Sequence, residues 1–302
     1  MAIIAASPAS VSWRLRVGGY VALTKPRIIE LLLVTTVPTM VVAEQGLPGA
    51  WLVIATVLGG TMAAGGANAI NMYVDRDIDA IMKRTRNRPL VTGVIEPRNA
   101  LVFALAVESL AFVWLWGFVN LLSAVLALSA CLFYVFVYTL WLKRTSTSNI
   151  VIGGAAGAAP VLIGWSAVTD QLSWAPFVLF GVMFFCTPPH FWALAIRYKD
   201  DYAAAEVPML PSVASLRATS VRIVAYTLVV WALTLVFAAV ADMGLLYTGS
   251  AVVLGAAFTG LAVRLLQIGS TATAMRLFGF SITYITLLFG VMALDVLVRY
   301  GV

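Results

Sequence analysis

Nine long apolar stretches, each close to the roughly twenty residues needed to cross a bilayer, fill most of the chain and are separated by short polar connections. They predict membrane helices over residues 28–43, 51–73, 99–118, 121–142, 150–168, 174–197, 221–241, 246–266 and 276–297. Connections 44–50, 119–120, 169–173 and 242–245 are so short that the helices they join must be antiparallel neighbours. No low-complexity segment, long linker or soluble insertion interrupts the series. The expected fold class is therefore all-α, a single polytopic membrane domain over residues 1–302 with nine transmembrane helices.

The charges sort by connection. Arg14, Arg16, Lys25 and Arg27 precede the first span, and Arg76, Lys83, Arg84, Arg86, Arg88 and Arg98 lie between the second and third. Lys143 and Arg144 follow the fourth, Arg197, Lys199, Arg217 and Arg222 follow the sixth, and Arg264 and Arg276 flank the loop before the ninth. The alternate connections carry no Lys or Arg, which leaves Arg299 alone on the far side. The positive-inside bias puts the amino terminus and residues 1–27 in or on the cytoplasmic side, where Trp13, Arg14, Leu15, Arg16, Val17 and Tyr20 suit an interfacial helix. Residues 1–18 lack the apolar core of a cleavable signal peptide, so the first span is expected to be retained.

Composition excludes a soluble domain: 62% of the 302 residues are hydrophobic and 11% charged. The net charge of +6 reads as topology and contact with anionic lipid, not as nucleic-acid binding. Cys131 and Cys186 both fall inside apolar runs and imply neither a disulfide framework nor a metal knuckle.

Against that background the polar groups stand out. Asn71, Asp75 and Asp79 recur every four residues where the second apolar run ends, which stacks them on one helical face about 6 Å apart. Asn68 extends the face inward, where polar groups are costly. Such a stripe suits Mg²⁺, which takes one or two carboxylates together with phosphate oxygens of a substrate. A weaker counterpart, Asp200 and Asp201, closes the sixth span on the same side. The competing structural reading has Asp75, Asp77 and Asp79 merely balancing Lys83, Arg84, Arg86 and Arg88.

Carboxylates alone would repel a diphosphate, so an anion site needs cations as well. Candidates are Lys25, Arg27, Arg84, Arg88, Lys143 and Arg144, for each of which lipid contact is an equally good explanation. Two more polar groups lie within spans. His190, the single histidine, follows Pro188 and Pro189, and its structural reading is a buried imidazole bonded to a freed helix carbonyl. Glu108 is expected to make a structural hydrogen bond, with a proton relay as the alternative.

Several segments carry a family resemblance. Asn71-Met72-Tyr73-Val74-Asp75-Arg76-Asp77-Ile78-Asp79, continuing from Lys83 to Leu90, resembles the first aspartate motif of the UbiA superfamily of intramembrane prenyltransferases. Leu23 to Arg27, Leu142 to Thr145 with Asn149, Gly153 to Gly157, Thr187 to Trp192, Lys199 to Tyr202 and Pro208 to Pro211 resemble its haem-modifying branch. The resemblance implies a nine-helix bundle around a central cavity in the bacterial plasma (inner) membrane. It implies farnesyl diphosphate and haem B as substrates, with haem O as product and Mg²⁺ as cofactor. It assigns catalysis and metal binding to Asn71, Asp75, Asp79 and Asp201, with Asp200 beside them, and haem contact to His190, Arg197 and Lys199. A downstream haem A synthase is a candidate partner.

Two departures accompany the match. Arg197 stands four residues before Asp201, where members acting on small aromatic acceptors carry Asp; Val161 and Glu206 replace an expected proline and glycine and read as neutral drift. A related prenyltransferase acting on a quinone precursor such as 4-hydroxybenzoate is the alternative enzyme, and a secondary transporter the alternative outside enzymes.

Overall fold

The computed structural model describes residues 12–301, and for residues 27–32 the backbone alone. The described chain is helical, with no strand among these residues. An N-terminal helix α1 (Trp13–Thr24) starts at Ser12, whose hydroxyl accepts from the Leu15 amide, and ends at Lys25, where φ is 52°. This left-handed residue turns the chain into α2 (Pro26–Glu44), which begins on a proline already set for helical φ. Then follow α3 (Ala50–Val74), the short α4 (Arg76–Ile81), α5 (Pro97–Phe118) and α6 (Leu121–Leu132). A π-helical segment, Phe133–Leu142, carries α6 on into α7 (Lys143–Thr145). After α8 (Asn149–Thr169) and α9 (Trp174–Arg197) come two short helices, α10 (Lys199–Ala204) and α11 (Leu210–Val213). The chain closes with α12 (Leu216–Val240), α13 (Leu245–Ile268) and α14 (Thr271–Tyr300).

Eight of the described helices are long and apolar enough to cross a membrane, the continuous Leu121–Thr145 counting as one. Helix α2 occupies the place of the first predicted span, and its apolar stretch among the described residues, Leu33–Glu44, is shorter. Two predicted starts were late. Ser215 and Ser270 cap α12 and α14 with their side chains, accepting from the Ala218 and Thr273 amides, so both helices begin well before their apolar runs. Arg217 therefore sits on a helix and not in a loop, and like Arg222 and Arg276 has a long aliphatic stem that lets its charge reach a polar boundary.

The bundle is inverted relative to a soluble protein: Trp174, Leu245 and Val253 are exposed, while the contacts between helices use small residues. A Cβ on Gly164 of α8 would stand 2.7 Å from the Thr36 carbonyl oxygen of α2, and one on Gly66 of α3 would stand 2.7 Å from the Glu108 carboxylate of α5. At the end of the bundle away from the acidic motifs, the buried Asp295 carboxylate accepts from the Gly244 amide at 2.6 Å and the Tyr247 amide at 3.1 Å. It thus satisfies the amino-terminal donors of α13 from the neighbouring α14.

Candidate active site

The helix breaks at Asp75, which lies between α3 and α4 with φ −83° and ψ 6°. Backbone bonds bridge the break: the Asp75 amide reaches the Asn71 carbonyl at 2.9 Å and the Asp79 amide reaches the Asp75 carbonyl at 2.8 Å. The four-residue register survives, and Asn71, Asp75 and Asp79 are all buried. Asn71 donates from Nδ2 to Asp75 Oδ2 at 2.7 Å and accepts Lys25 Nζ at Oδ1, also at 2.7 Å. The hinge between α1 and α2 thereby delivers an ammonium group to the acidic stripe.

The π-helical segment builds the facing wall. Its wider turn brings Thr139 and Lys143 onto α3: Thr139 Oγ1 donates to the Tyr134 carbonyl at 2.7 Å and accepts from Asn71 Nδ2 at 3.1 Å. Lys143 Nζ pairs with Asp75 Oδ2. Tyr134 and Tyr138 stack with ring centroids 5.3 Å apart, and Gly153 leaves the space that the Tyr138 ring fills. Sequence reasoning missed Thr139, Tyr134 and Tyr138. The available signal was a hydroxyl four residues before Lys143 in an otherwise apolar run.

The remaining basic residues divide. Arg88 donates to Asp79 Oδ2 at 2.6 Å, and Thr85 Oγ1 reaches the Asp79 carbonyl at 3.1 Å. Arg144 forks onto the two Asp77 oxygens at 2.8 Å each and reaches the Val74 carbonyl at 3.3 Å. This bond holds the Asp77 carboxyl well below the usual range. Lys25 is pushed down to about 7, first by burial and then by the nearby Arg88 and Lys143, with Asp75 and Asp79 opposing. The Arg27 side chain lies outside the described residues.

The second acidic segment meets the first across the same rim. Arg84 places its guanidinium 5.6 Å from the centre of the Tyr198 ring, which Arg197 also approaches, at 5.8 Å. Burial raises the Tyr202 hydroxyl, an effect opposed by Arg84 and Arg88. Ile78 and Met82 share one apolar core with Trp192, Ile196, Tyr202 and Val207. Between the segments lies a cleft of about 430 Å³ lined by Asp77, Ile78, Arg144 and residues 204–207. Asp201 is half-buried, and Asp200 and Lys199 are exposed. Neither carboxylate makes a hydrogen bond or ion pair among the described residues, where no group of three or more His, Cys, Asp or Glu side chains forms a metal cage. Glu206, at φ 53°, turns left-handed, which is the reason glycine suits this position; the substitution is not neutral for the backbone.

One atom tests whether a cation fits. Asp75 Oδ1 is buried with no hydrogen-bond partner, and the Arg144 guanidinium stands 3.9 Å from it. A buried carboxylate oxygen left in this state, beside a second carboxylate and an amide, suits a hard divalent ion.

Of the intramembrane groups, His190 finds a partner other than the expected carbonyl, while Glu108 makes the expected structural hydrogen bond, to Cys131. His190 bonds through Nδ1 to Ser281 Oγ of α14 at 2.7 Å, not to a carbonyl released by the prolines. Glu108 packs against Gly66 and beside the Cys131 thiol, and its Oε2 has no hydrogen-bond partner.

Comparison with known proteins places the chain in a family. Residues 32–288 match the model of the UbiA prenyltransferase family. The protoheme IX farnesyltransferase of Parafrankia sp. is 56% identical over 92% of this chain and 90% of its own. That of Streptomyces coelicolor is 51% identical over 97% and 95%. Among solved structures, a digeranylgeranylglyceryl phosphate synthase superposes with a TM-score of 0.76 at 16% identity, covering 93% of this chain and 98% of that one. A UbiA homolog from Archaeoglobus fulgidus bound to GPP and Mg²⁺ gives 0.65 at 17% identity, covering 91% and 99%. The chain belongs to the UbiA prenyltransferase family, on the branch of the protoheme IX farnesyltransferases.

Proposed function

We propose that this protein transfers the farnesyl group of farnesyl diphosphate to a vinyl group of haem B, with addition of water, to give haem O. The observation that carries the reading is the buried Asn71, Asp75 and Asp79 stripe, with an unpartnered Asp75 oxygen, ringed by Lys25, Arg88 and Lys143.

Asn71, Asp75 and Asp79 would hold Mg²⁺ from one side, with Asp201 joining from the opposite segment and Asp200 beside it. Bound there, the ion supplies charge that offsets the diphosphate and makes it a better leaving group. Lys25, Arg84, Arg88, Lys143 and Arg144 form the basic rim that receives the phosphate oxygens, with Arg27 a further candidate by its sequence position alone; Lys143 and Arg88 exchange a carboxylate partner for a phosphate one. Cleavage of the carbon–oxygen bond leaves an allylic cation, and the stacked Tyr134 and Tyr138 offer it π faces below the rim. The vinyl carbon of haem B supplies the electron pair for the new carbon–carbon bond. The cation left beside the porphyrin is captured by water with loss of a proton. His190 faces the haem, and Arg197 with Lys199 at the same helix end receives its propionates.

On this reading α2 completes a nine-helix bundle around a central cavity, and the domain is one unit over residues 1–302. The basic connections put the amino terminus and the acidic rim on the cytoplasmic side of the bacterial plasma membrane.

The test is product formation by purified protein in lipid nanodiscs with farnesyl diphosphate and Mg²⁺. Haem B should be converted to a hydroxyethylfarnesyl derivative detected by mass spectrometry, and omission of Mg²⁺ should stop the reaction. Prenylation of 4-hydroxybenzoate but not haem would replace this reading with the quinone-precursor one. Counterflow of prenyl diphosphate in liposomes without transfer would replace it with a transporter.

A further inference from the structure

The hydrogen bonds around His190 determine which of its nitrogens carries the proton. Ser281 Oγ stands 2.6 Å from the Phe278 carbonyl oxygen, one turn earlier on α14. Two oxygens that close require a proton between them, and the carbonyl has none, so the Ser281 hydroxyl donates to Phe278. That uses its only proton. His190 Nδ1 lies 2.7 Å from the same hydroxyl oxygen, which can then only accept. Nδ1 must be the protonated nitrogen, and Nε2 keeps its lone pair. Nε2 has no hydrogen bond among the described residues.

The surroundings fix the ring as well as the proton. Ser281 is buried on α14, and the His190 ring sits 4.6 Å from the Phe278 ring and 5.2 Å from the Phe191 ring, centre to centre. His190 lies seven residues before Arg197 on α9, about 10 Å below the rim at 1.5 Å per residue. In neutral imidazole the bare nitrogen is the one that binds a metal, and a partner on the other nitrogen sets the tautomer and orientation.

We propose that Ser281 is a positioning residue, locking His190 in the Nδ1–H form so that Nε2 presents its lone pair to the iron of the haem substrate. The Phe278 carbonyl completes the relay by orienting the Ser281 hydroxyl. This rests on the reading of His190 as facing haem, and the experiments below separate the two.

Because His190 is the chain's single histidine, ¹⁵N-histidine labelling of the full-length protein in nanodiscs yields one pair of imidazole signals. Without haem, Nδ1 should show the coupling of a protonated nitrogen and Nε2 the shift of a bare one. Ser281→Ala should release this preference, and Ser281→Thr, which keeps the hydroxyl, should retain it. In titrations with ferric protohaem, followed by its Soret band and electron paramagnetic resonance, Ser281→Ala should weaken binding about 10–100-fold. Ser281→Thr should stay near wild type, and His190→Ala should lose the nitrogen-ligand signature, restored by added imidazole. A wild-type imidazole protonated at Nε2 overturns the relay. An unchanged haem spectrum in His190→Ala overturns the haem-facing reading even if the tautomer is as derived. Equal haem affinity for Ser281→Ala and wild type removes Ser281 from that role.

Discussion

Lys143 donates to Asp75 Oδ2, so a cation assigned to the diphosphate and a carboxylate assigned to the metal form one buried ion pair. Asp75 is therefore more than an exposed rim ligand, and its neutralisation acts on both charges. Asp75→Asn keeps an oxygen for Lys143 or Asn71 but removes the negative charge. Turnover should fall by about 10²-fold or more. The melting temperature should also drop, because Lys143 is left without a countercharge. Product formation and thermal unfolding measured on the same preparation check both; full activity would remove Asp75 from catalysis.

Thr139 orients Asn71 from the π-helical wall, accepting its Nδ2 while Lys25 donates to its Oδ1. Thr139→Val keeps the volume and removes the acceptor, which leaves a buried amide hydrogen unsatisfied at a cost of about 1–3 kcal/mol. The expected result is a loss of about tenfold in kcat/KM for the prenyl diphosphate, with Thr139→Ser close to wild type. Equal kinetics for Val and Thr would show that Asn71 needs no such support.

Lys25 is depressed to about 7 against an ordinary 10.5, chiefly by burial and then by Arg88 and Lys143. Between those values the unfolded chain binds more protons at this site than the folded one, so the contribution to stability rises with pH from about 7 to 10.5. Below 7 the penalty of the buried charge is fully present. Anion binding has the opposite dependence: inorganic pyrophosphate should bind more weakly as pH rises above 7, because the ammonium must first be regained. Calorimetric affinities across this range check it, and Lys25→Met should flatten both slopes.

How much of this could be read in advance depended on whether the signal was local. The eight long helices follow from apolar runs, and the acidic stripe follows from spacing, because an i to i+4 relation survives the break at Asp75. The π-helical segment was invisible: its residues, apolar or aromatic apart from Thr139, are equally compatible with an α-helix, and only the wider hydrogen-bonded turn brings Thr139 onto Asn71. Charge counting likewise found the cations but not their pairing. Arg144 is bonded to Asp77, 67 residues away, and His190 to Ser281, 91 residues away. No pattern within one helix encodes either contact.

Asp77 faces Arg144 and not the acidic stripe, so Asp77→Asn should affect turnover far less than Asp75→Asn. The pair is partly exposed, and its removal should cost at most about 1 kcal/mol. Its pH dependence has a definite sign. The Asp77 carboxyl is held below its ordinary 3.8, so the stabilisation is fully present above that value and is lost only as pH falls through the lower folded one. Unfolding curves of wild type and Asp77→Asn should differ by the same small amount throughout neutral pH and converge in strong acid.

Glu206 provides the final test, at the loop leading from α10 to α11. Its φ of 53° places a side chain where only glycine is unstrained, a conformation that costs other residues about 1–2 kcal/mol. The Glu206 amide bonds to the Ala203 carbonyl at 3.1 Å, and the Val207 amide to the Tyr202 carbonyl at 3.0 Å, so the turn is set by the backbone and not by the exposed carboxylate. Glycine relieves the strain but adds freedom to the unfolded chain, which offsets part of the gain. Glu206→Gly should therefore stabilise the protein by about 0.5–1 kcal/mol, read as a higher melting temperature, while Glu206→Ala should not. Because Glu206 also lines the cleft beside Asp77 and Arg144, the same variant removes a negative charge near the entering diphosphate. Its KM for the prenyl diphosphate should fall and kcat should hold. A lower melting temperature for the glycine variant would mean that the carboxylate, and not the turn, had been supporting this segment.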